Sequence, residues 1–395
     1  MAKQSSEINP RNNDLFQLHS KLPKVGQTIF SKMSALAKSE HAINLSQGFP
    51  DFSCSPKLVE LASKAMRDGH NQYAPMAGHM ALREKIAEKT ESLYSGQYNP
   101  ETEITITAGA TQAIFTAIAA TVNEGDEVIL FTPAYDCYEP AIELVGARPV
   151  YVQLKDPEYT INWEEVKKVI NQRTKMIILN TPHNPTGSIL NSQDMAQLEK
   201  LLDNSEILVL SDEVYEHIIF DGYEHQSVAR FPKLAARSFV ISSFGKTYHT
   251  TGWKVGYCLA PKNLMKEFQK THQYNVFSVN TPTQVAYAEF LNYPEEYLEL
   301  RNFYQEKRDL FRKFLQGSNF TIKHTAGSYF QLLGYEKISE EKDIDFAIRL
   351  TKEQKIASIP TSVFFNRPID NKVLRFCFAK EDETLERAAE ILHRL

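Results

Sequence analysis

The chain has 395 residues, 42% of them hydrophobic and 24% charged. This is the make-up of a soluble globular protein, and at about 150 residues per domain it allows two or three domains. Lys+Arg 44 against Asp+Glu 49 leaves a net charge of −5, so there is no broad basic field for nucleic acid. No segment approaches the roughly 18 uninterrupted apolar residues of a membrane span.

The N-terminal stretch Met1–Asn13 is polar and lacks an apolar core, so a secretory signal is not expected. The four cysteines, Cys54, Cys137, Cys258 and Cys377, stand far apart with no CxxC or CxxH pair. That spacing argues against a metal site or a disulfide framework and suits a reducing, cytoplasmic setting.

From Glu103 onward, short β-rich apolar runs alternate with helical stretches. Strands are expected at Glu103–Ala108, Glu127–Phe131, Pro149–Leu154, Lys175–Leu179, Ile207–Ser211, Phe239–Ser242 and Val255–Ala260. Helices are expected at Thr111–Val122, Tyr138–Val145, Trp163–Val169 and Met195–Leu202. This alternation reads as an α/β fold with a mostly parallel sheet covered on both faces. Such sheets place ligands at the carboxyl ends of their strands.

Past about Val285 the texture changes. An amphipathic helical region, Gln284–Leu315, is interrupted at Pro294. It is followed by Phe320–Leu333, a helix Ile344–Glu353, strands Ile356–Ile359 and Val373–Phe378, and a last helix from Glu383. This order suits a smaller α+β domain. The expected division is an arm over 1–45 that joins the small domain, a large domain over 46–285, and the small domain over 286–395.

The chemistry is expected at the strand ends. Lys246 follows a buried strand in Ser-Ser-Phe-Gly-Lys. A lone lysine is usually a solvated charge, but a desolvated one has a lowered pKa and forms Schiff bases with carbonyls. Asp212 ends another strand in Ser-Asp-Glu-Val-Tyr; such a residue is commonly a cap, or else pairs with a buried cationic ring nitrogen. Tyr215, three residues on, is either core or turned toward the same site. Asn184 stands in Asn-Thr-Pro-His-Asn-Pro-Thr-Gly, a turn whose two prolines hold its amide rigidly. Gly109-Ala110-Thr111 joins a strand to a helix, where exposed N–H groups can meet a phosphate. Tyr135 and Tyr73 are aromatic residues beside turns. Arg375 lies within an apolar strand and is suited to bidentate carboxylate recognition if half-buried.

In this order the motifs resemble those of the class I, fold-type I aminotransferases that use pyridoxal 5'-phosphate, over nearly the whole chain from Asn44. The most similar subgroup is that of the methionine and kynurenine aminotransferases. The strings that carry the likeness are Asn-Gln-Tyr-Ala-Pro at 71–75, Asp-Cys-Tyr-Glu-Pro at 136–140, Asn-Thr-Pro-His-Asn-Pro-Thr-Gly at 180–187, Ser-Asp-Glu-Val-Tyr at 211–215 and the run from Ser242 to Gly256.

The resemblance implies that Lys246 carries the cofactor and shuttles the proton. Asp212 would pair with the ring nitrogen, Tyr215 and Asn184 would bind the ring's phenolic oxygen, and Tyr135 would stack on its face. Gly109, Ala110, Thr111, Ser243 and Lys254 would hold the phosphate, with Tyr73 reaching in from a second subunit of a homodimer. Arg375, with Asn184 and the Gly48 backbone, would grip the α-carboxylate of an amino acid or 2-oxo acid.

Departures from the aspartate-type pattern sharpen the substrate. A lysine stands at 254 in place of arginine, a tyrosine at 135 in place of tryptophan, and Tyr274–Ser278 contains no arginine. Phe277, with Ile29 and Phe30, is expected to line an apolar pocket for methionine, aromatic or glutamine-like side chains. A Cβ–S lyase on the same fold would carry the same cofactor residues. A cofactor-sensing regulator would need a DNA-binding module before residue 44, and no helix-turn-helix pattern is present there.

Overall fold

The computed structural model describes residues 19–367 and 369–395; the polar stretch Met1–Asn13 lies outside them. Thirteen strands occur among the described residues. β1 is Ile43–Asn44, and β2 to β8 are Ile104–Thr107, Glu127–Thr132, Arg148–Gln153, Thr174–Asn180, Leu208–Asp212, Ser238–Ser243 and Gly256–Leu259. β9 to β13 are Thr321–Ile322, Phe330–Gly334, Ile356–Ala357, Ile359–Pro360 and Val373–Cys377.

β2 to β8 form one seven-stranded sheet in the order β2-β8-β7-β6-β5-β3-β4, each within a few residues of its expected span. Alternate side chains enter different cores. Val128, Leu130, Met176 and Ile178 pack on one face, while Ile129, Phe131, Ile177 and Leu179 pack on the other. This two-sided burial is why the strands read as continuous apolar runs, each large side chain contributing about 1.5–3 kcal/mol.

β8 is the exception to the parallel arrangement, running antiparallel to both β2 and β7. The link from β7 holds only the short helix Phe244–Thr247 and a single turn at Thr251–Trp253, with no long crossover helix of the kind that joins parallel neighbours. The reversal matters for the site: Gly256 starts β8 opposite Ser243 and Thr107, which end β7 and β2. Lys254, just before β8, therefore lies at the same edge as the carboxyl ends of the other strands.

The expected helix at Met195 begins three residues earlier, at Ser192, on a capping box between Asn191 and Asp194. Helices Pro56–Arg67, Met80–Tyr94 and Lys262–Asn275 were not among the expected elements. In Met80–Tyr94 the buried face includes Arg83, Lys89 and Thr90, which breaks the apolar period.

The C-terminal part is more finely divided than expected. Phe320–Leu333 reverses on itself as β9 and β10, which pair antiparallel. Ile356–Ile359 is two strands in different sheets: β11 pairs with β1 of the N-terminal segment, and β12 pairs with β13. The break expected at Pro294 separates helices Thr281–Phe290 and Glu295–Leu298. The helix Ile29–Ser39 packs on Asp343–Glu353.

Lys89 and Glu216 form a buried ion pair at 2.7 Å. Tyr94, Ser242 and Tyr257 donate hydroxyl hydrogen bonds to the same carboxylate. Burial opposes ionisation of Glu216, but Lys89, His217 and Ser242 outweigh it and hold the carboxyl well below the ordinary value of 4.5. A depressed carboxylate stabilises the fold above its unfolded pKa and loses that contribution as the pH falls. Lys89→Met is therefore expected to cost about 3–5 kcal/mol at pH 7, measured by chemical denaturation, with a penalty that shrinks below the ordinary carboxylate range.

Candidate active site

The carboxyl edge of the large sheet opens into a cavity of about 340 Å³. Each functional side chain reaches it from a strand end or the turn that follows. Asp212 is the last residue of β6, Ser243 the last of β7, and Lys246 lies in the short helix Phe244–Thr247 directly after it. Asn184 stands in the loop after β5, and Tyr135 follows β3. From the other side β13 delivers Arg375, β10 delivers Phe330, and the first helix delivers Phe30.

Lys246 is desolvated. Burial pushes its amine down to about 8, opposed by Cys377 and reinforced by the positive charges of Arg375 and Lys254. Its Nζ donates to the Gly48 carbonyl and the Tyr329 hydroxyl, each at 2.8 Å. Asp212 is raised to about 6 by burial, against hydrogen bonds that favour its ionised form. The Tyr138 hydroxyl donates to Oδ2 at 2.6 Å and the Val214 N–H to Oδ1 at 3.3 Å.

Arg375 is 1% exposed, and burial lowers its guanidinium to about 10. It donates to Asn184 Oδ1 at 2.6 Å and to the Ser46 carbonyl at 3.0 Å, and lies 3.9 Å over the Phe330 ring. Its Nε is buried without a partner. Because an arginine can only donate, the Asn184 oxygen faces it and the Asn184 NH₂ is left to donate elsewhere. Asn180 fixes that loop by accepting from the Asn184 N–H at 2.8 Å and donating to the Asp212 carbonyl at 3.0 Å.

At the far end the helix Ala110–Thr121 begins against the cavity with no capping side chain. Gly109 precedes it at φ +80, where a Cβ would meet Lys254 Cδ at 3.3 Å. Gly256 allows a closer approach still, since a Cβ there would stand 2.6 Å from the Ser242 carbonyl. Free N–H groups, a helix N-terminus, the Ser243 hydroxyl and the Lys254 ammonium thus converge on one small cradle suited to an anion.

Nearly all the residues singled out from the sequence meet in this cavity: Lys246, Asp212, Tyr215, Gly109, Ala110, Thr111, Tyr135, Asn184, Ser243, Lys254, Gly48, Phe30 and Arg375. Three do not. Ile29 opens the first helix and packs against the hydrophobic core, so the wall receives Phe30 and not its neighbour. Tyr73 and Phe277 pack edge-on at 5.1 Å on the protein surface, 79% and 44% exposed. Residues that sequence reasoning missed are Asn180, Tyr138 and Tyr329. Tyr138 carried a faint signal, lying one helical turn after Tyr135; Tyr329 carried none.

The sequence profile described as "Aminotransferase class I and II" matches residues 40–392. The chain belongs to this family and is an aminotransferase of fold-type I. It is 49% identical to the methionine aminotransferase of Escherichia coli, over 97% of this chain and 100% of that one. It is 35% identical to human kynurenine–oxoglutarate transaminase 3, over 92% and 87% of the two chains. Among solved structures, an Escherichia coli protein identified as having a methionine aminotransferase function superposes with a TM-score of 0.93 at 48% identity, covering 96% and 100%. The N-succinyldiaminopimelate aminotransferase of Mycobacterium tuberculosis gives 0.92 at 34% identity, covering 96% and 100%. These relatives are all aminotransferases, which lends the lyase alternative no support.

The family uses pyridoxal phosphate, and the donor set here fits it. A phosphate matches the cradle at Gly109, a charged ring nitrogen matches Asp212, and a carbonyl carbon matches the Lys246 amine, which burial makes easier to deprotonate. Asp212 must be ionised to hold that nitrogen. In the cofactor-free protein, cofactor binding is therefore expected to weaken as the pH falls through about 6. Tyr138→Phe removes a donor that favours the carboxylate, and should move this midpoint up by about one pH unit. The pH dependence of the cofactor dissociation constant checks it, and an unchanged midpoint would detach Tyr138 from the charge of Asp212.

Proposed function

We propose that the enzyme moves an amino group from a neutral L-amino acid, methionine foremost, to a 2-oxo acid by a ping-pong mechanism. The observation that carries this reading is the cation count of the cavity. Among the described residues of this chain, its lining holds Lys246, Lys254 and Arg375 and no other lysine or arginine. One serves the reacting carbon, one the phosphate cradle and one the α-carboxylate, which leaves none of this chain's own cavity cations for a side-chain carboxylate, and the segment Tyr274–Ser278 that a partner would contribute has no arginine either. Phe30 and Phe330 line the wall beside Arg375, and apolar surface of this kind favours a thioether or aromatic side chain. The similarity to methionine and kynurenine aminotransferases points the same way.

The geometry supports the roles that the family resemblance implies. Arg375 takes the α-carboxylate as a fork, assisted by Asn184, and so fixes the rest of the substrate relative to Lys246. Ala110, Thr111, Ser243 and Lys254 would hold the phosphate of the cofactor, and Tyr135 would lie against its ring. Asp212 would keep the ring nitrogen protonated, while Tyr215 and Asn184 would bind the phenolic oxygen. Bound pyridoxal phosphate supplies an electron-accepting ring that stabilises negative charge developing at the α-carbon. The neutral Lys246 amine is the base that would accept the α-proton and hold it for return. Because amino acids and oxo acids share the α-carboxylate, one arginine serves both half-reactions.

We also infer a cytoplasmic homodimer with shared active sites. The exposed aromatic surface of Tyr73, Tyr274 and Phe277 supports it, as do four free cysteines. No helix among the described residues is long and apolar enough to cross a membrane. The division into an arm over 1–45, a large domain over 46–285 and a small domain over 286–395 belongs to the same reading.

Steady-state assays with a panel of amino donors test the substrate class. Methionine should exceed aspartate in kcat/KM by at least about tenfold, the discrimination expected where a buried carboxylate finds no partner. A preference for aspartate would sink the reading. Arg375→Lys, which keeps the charge but loses the fork, should lower kcat/KM by about ten- to a hundredfold for every donor alike.

A further inference from the structure

The lysine amine is held by a side chain that belongs to neither the cofactor cradle nor the carboxylate grip. Tyr329 immediately precedes β10, is fully buried, and does not line the cavity. Its ring is wedged edge-on between Tyr215 and Phe330, each at 5.0 Å, with Tyr304 at 5.7 Å. Its hydroxyl is fixed as well: the O–H donates to the Gly48 carbonyl, and the oxygen accepts from Lys246 Nζ at 2.8 Å. Gly48 is equally confined, since a Cβ there would stand 2.8 Å from the Phe330 ring.

A neutral primary amine has two N–H donors and one lone pair. Here both donors are used, one on the Gly48 carbonyl and one on Tyr329 Oη. The lone pair is the only valence left, and it lies away from both acceptors. We infer that Tyr329 is a positioning residue for the transamination step: with Gly48 it parks the Lys246 amine whenever that amine is not bonded to the cofactor, and orients its lone pair as nucleophile and base. A tyrosine suits this better than a carboxylate. Burial and the neighbouring Tyr215 keep its hydroxyl protonated, well above the ordinary phenol range. It therefore accepts from the amine without supplying the negative charge that would hold Lys246 as an ammonium ion.

The inference rests on Lys246 being the cofactor lysine, and its test begins without cofactor or substrate. Tyr329→Phe keeps the ring and deletes the acceptor. In the cofactor-free protein the Lys246 side chain can be followed by nitrogen NMR, its resonance assigned by its absence from Lys246→Ala. The groups facing this amine are Arg375 and Lys254, which disfavour its charge, and Cys377 and Asp212, which favour it. All four are unchanged in the variant. Loss of an acceptor disfavours the ammonium form, so the titration midpoint should fall by about one pH unit from its wild-type value.

In the loaded enzyme, kcat for the methionine half-reaction should fall about tenfold with KM nearly constant, the split expected when a reacting group is misaligned and not when binding is lost. In a Lys246→Ala background rescued by added methylamine, adding Tyr329→Phe should leave the rate unchanged. An unshifted midpoint overturns the inference. So does an equal loss of rate in the rescued background, which would place the hydroxyl's effect in the fold and not in the lysine. The titration reads Lys246 alone, so failure of the proposed donor preference leaves it intact.

Discussion

The structure depends on buried cations that are satisfied by neutral oxygens. Arg375 rests on an asparagine oxygen and a backbone carbonyl, and Lys246 on a backbone carbonyl and a tyrosine hydroxyl. A buried cation paired with a carboxylate is internally neutral and has little left for a ligand. Held by neutral acceptors, these groups keep their capacity for an anion at the cost of depressed pKa values. The carboxylates they share space with, Asp212 and Asp136, are both drawn toward neutrality by burial, and Asp212 is steadied by Tyr138. The cavity is thus built with more positive than negative charge, and an anionic cofactor and substrate complete it.

That arrangement couples the two halves of the chain. Arg375 comes from β13 but donates to Asn184 beyond β5 and to Ser46 after β1. Lys246 comes from the end of β7 but donates to Gly48 and to Tyr329 before β10. The segment 46–48 is therefore held from both sides by Arg375 and Lys246. The antiparallel return of β8 adds the third cation by placing Lys254 at the edge where its neighbours end.

Much of this was legible in the sequence, for a physical reason. Strands buried on two faces show as unbroken apolar runs, so β2 to β8 and the residues ending them could be read directly. Lys246, Asp212 and Arg375 each had an ordinary reading alone, and it was their joint order at the strand ends, with the resemblance it carries, that pointed to a site. What could not be read depends on tertiary partners. Met80–Tyr94 buries Lys89 against Glu216, and β11 exists only because β1 lies beside it. Tyr138 and Tyr329 look like ordinary core aromatics until their hydroxyls are seen to meet Asp212 and Lys246. Tyr73 and Phe277 find no place in the cavity of their own chain, so their assignment comes from the resemblance alone.

The claim on which all else rests is that Lys246, made easier to deprotonate by burial, bonds the cofactor at this edge of the sheet. Absorbance titration with pyridoxal 5'-phosphate tests it most directly, comparing the wild-type protein with Lys246→Ala. The account predicts that the wild type gains a long-wavelength band that methionine then abolishes, and that Lys246→Ala gains none. A wild type without the band, or a Lys246→Ala protein that shows the same band, would contradict it.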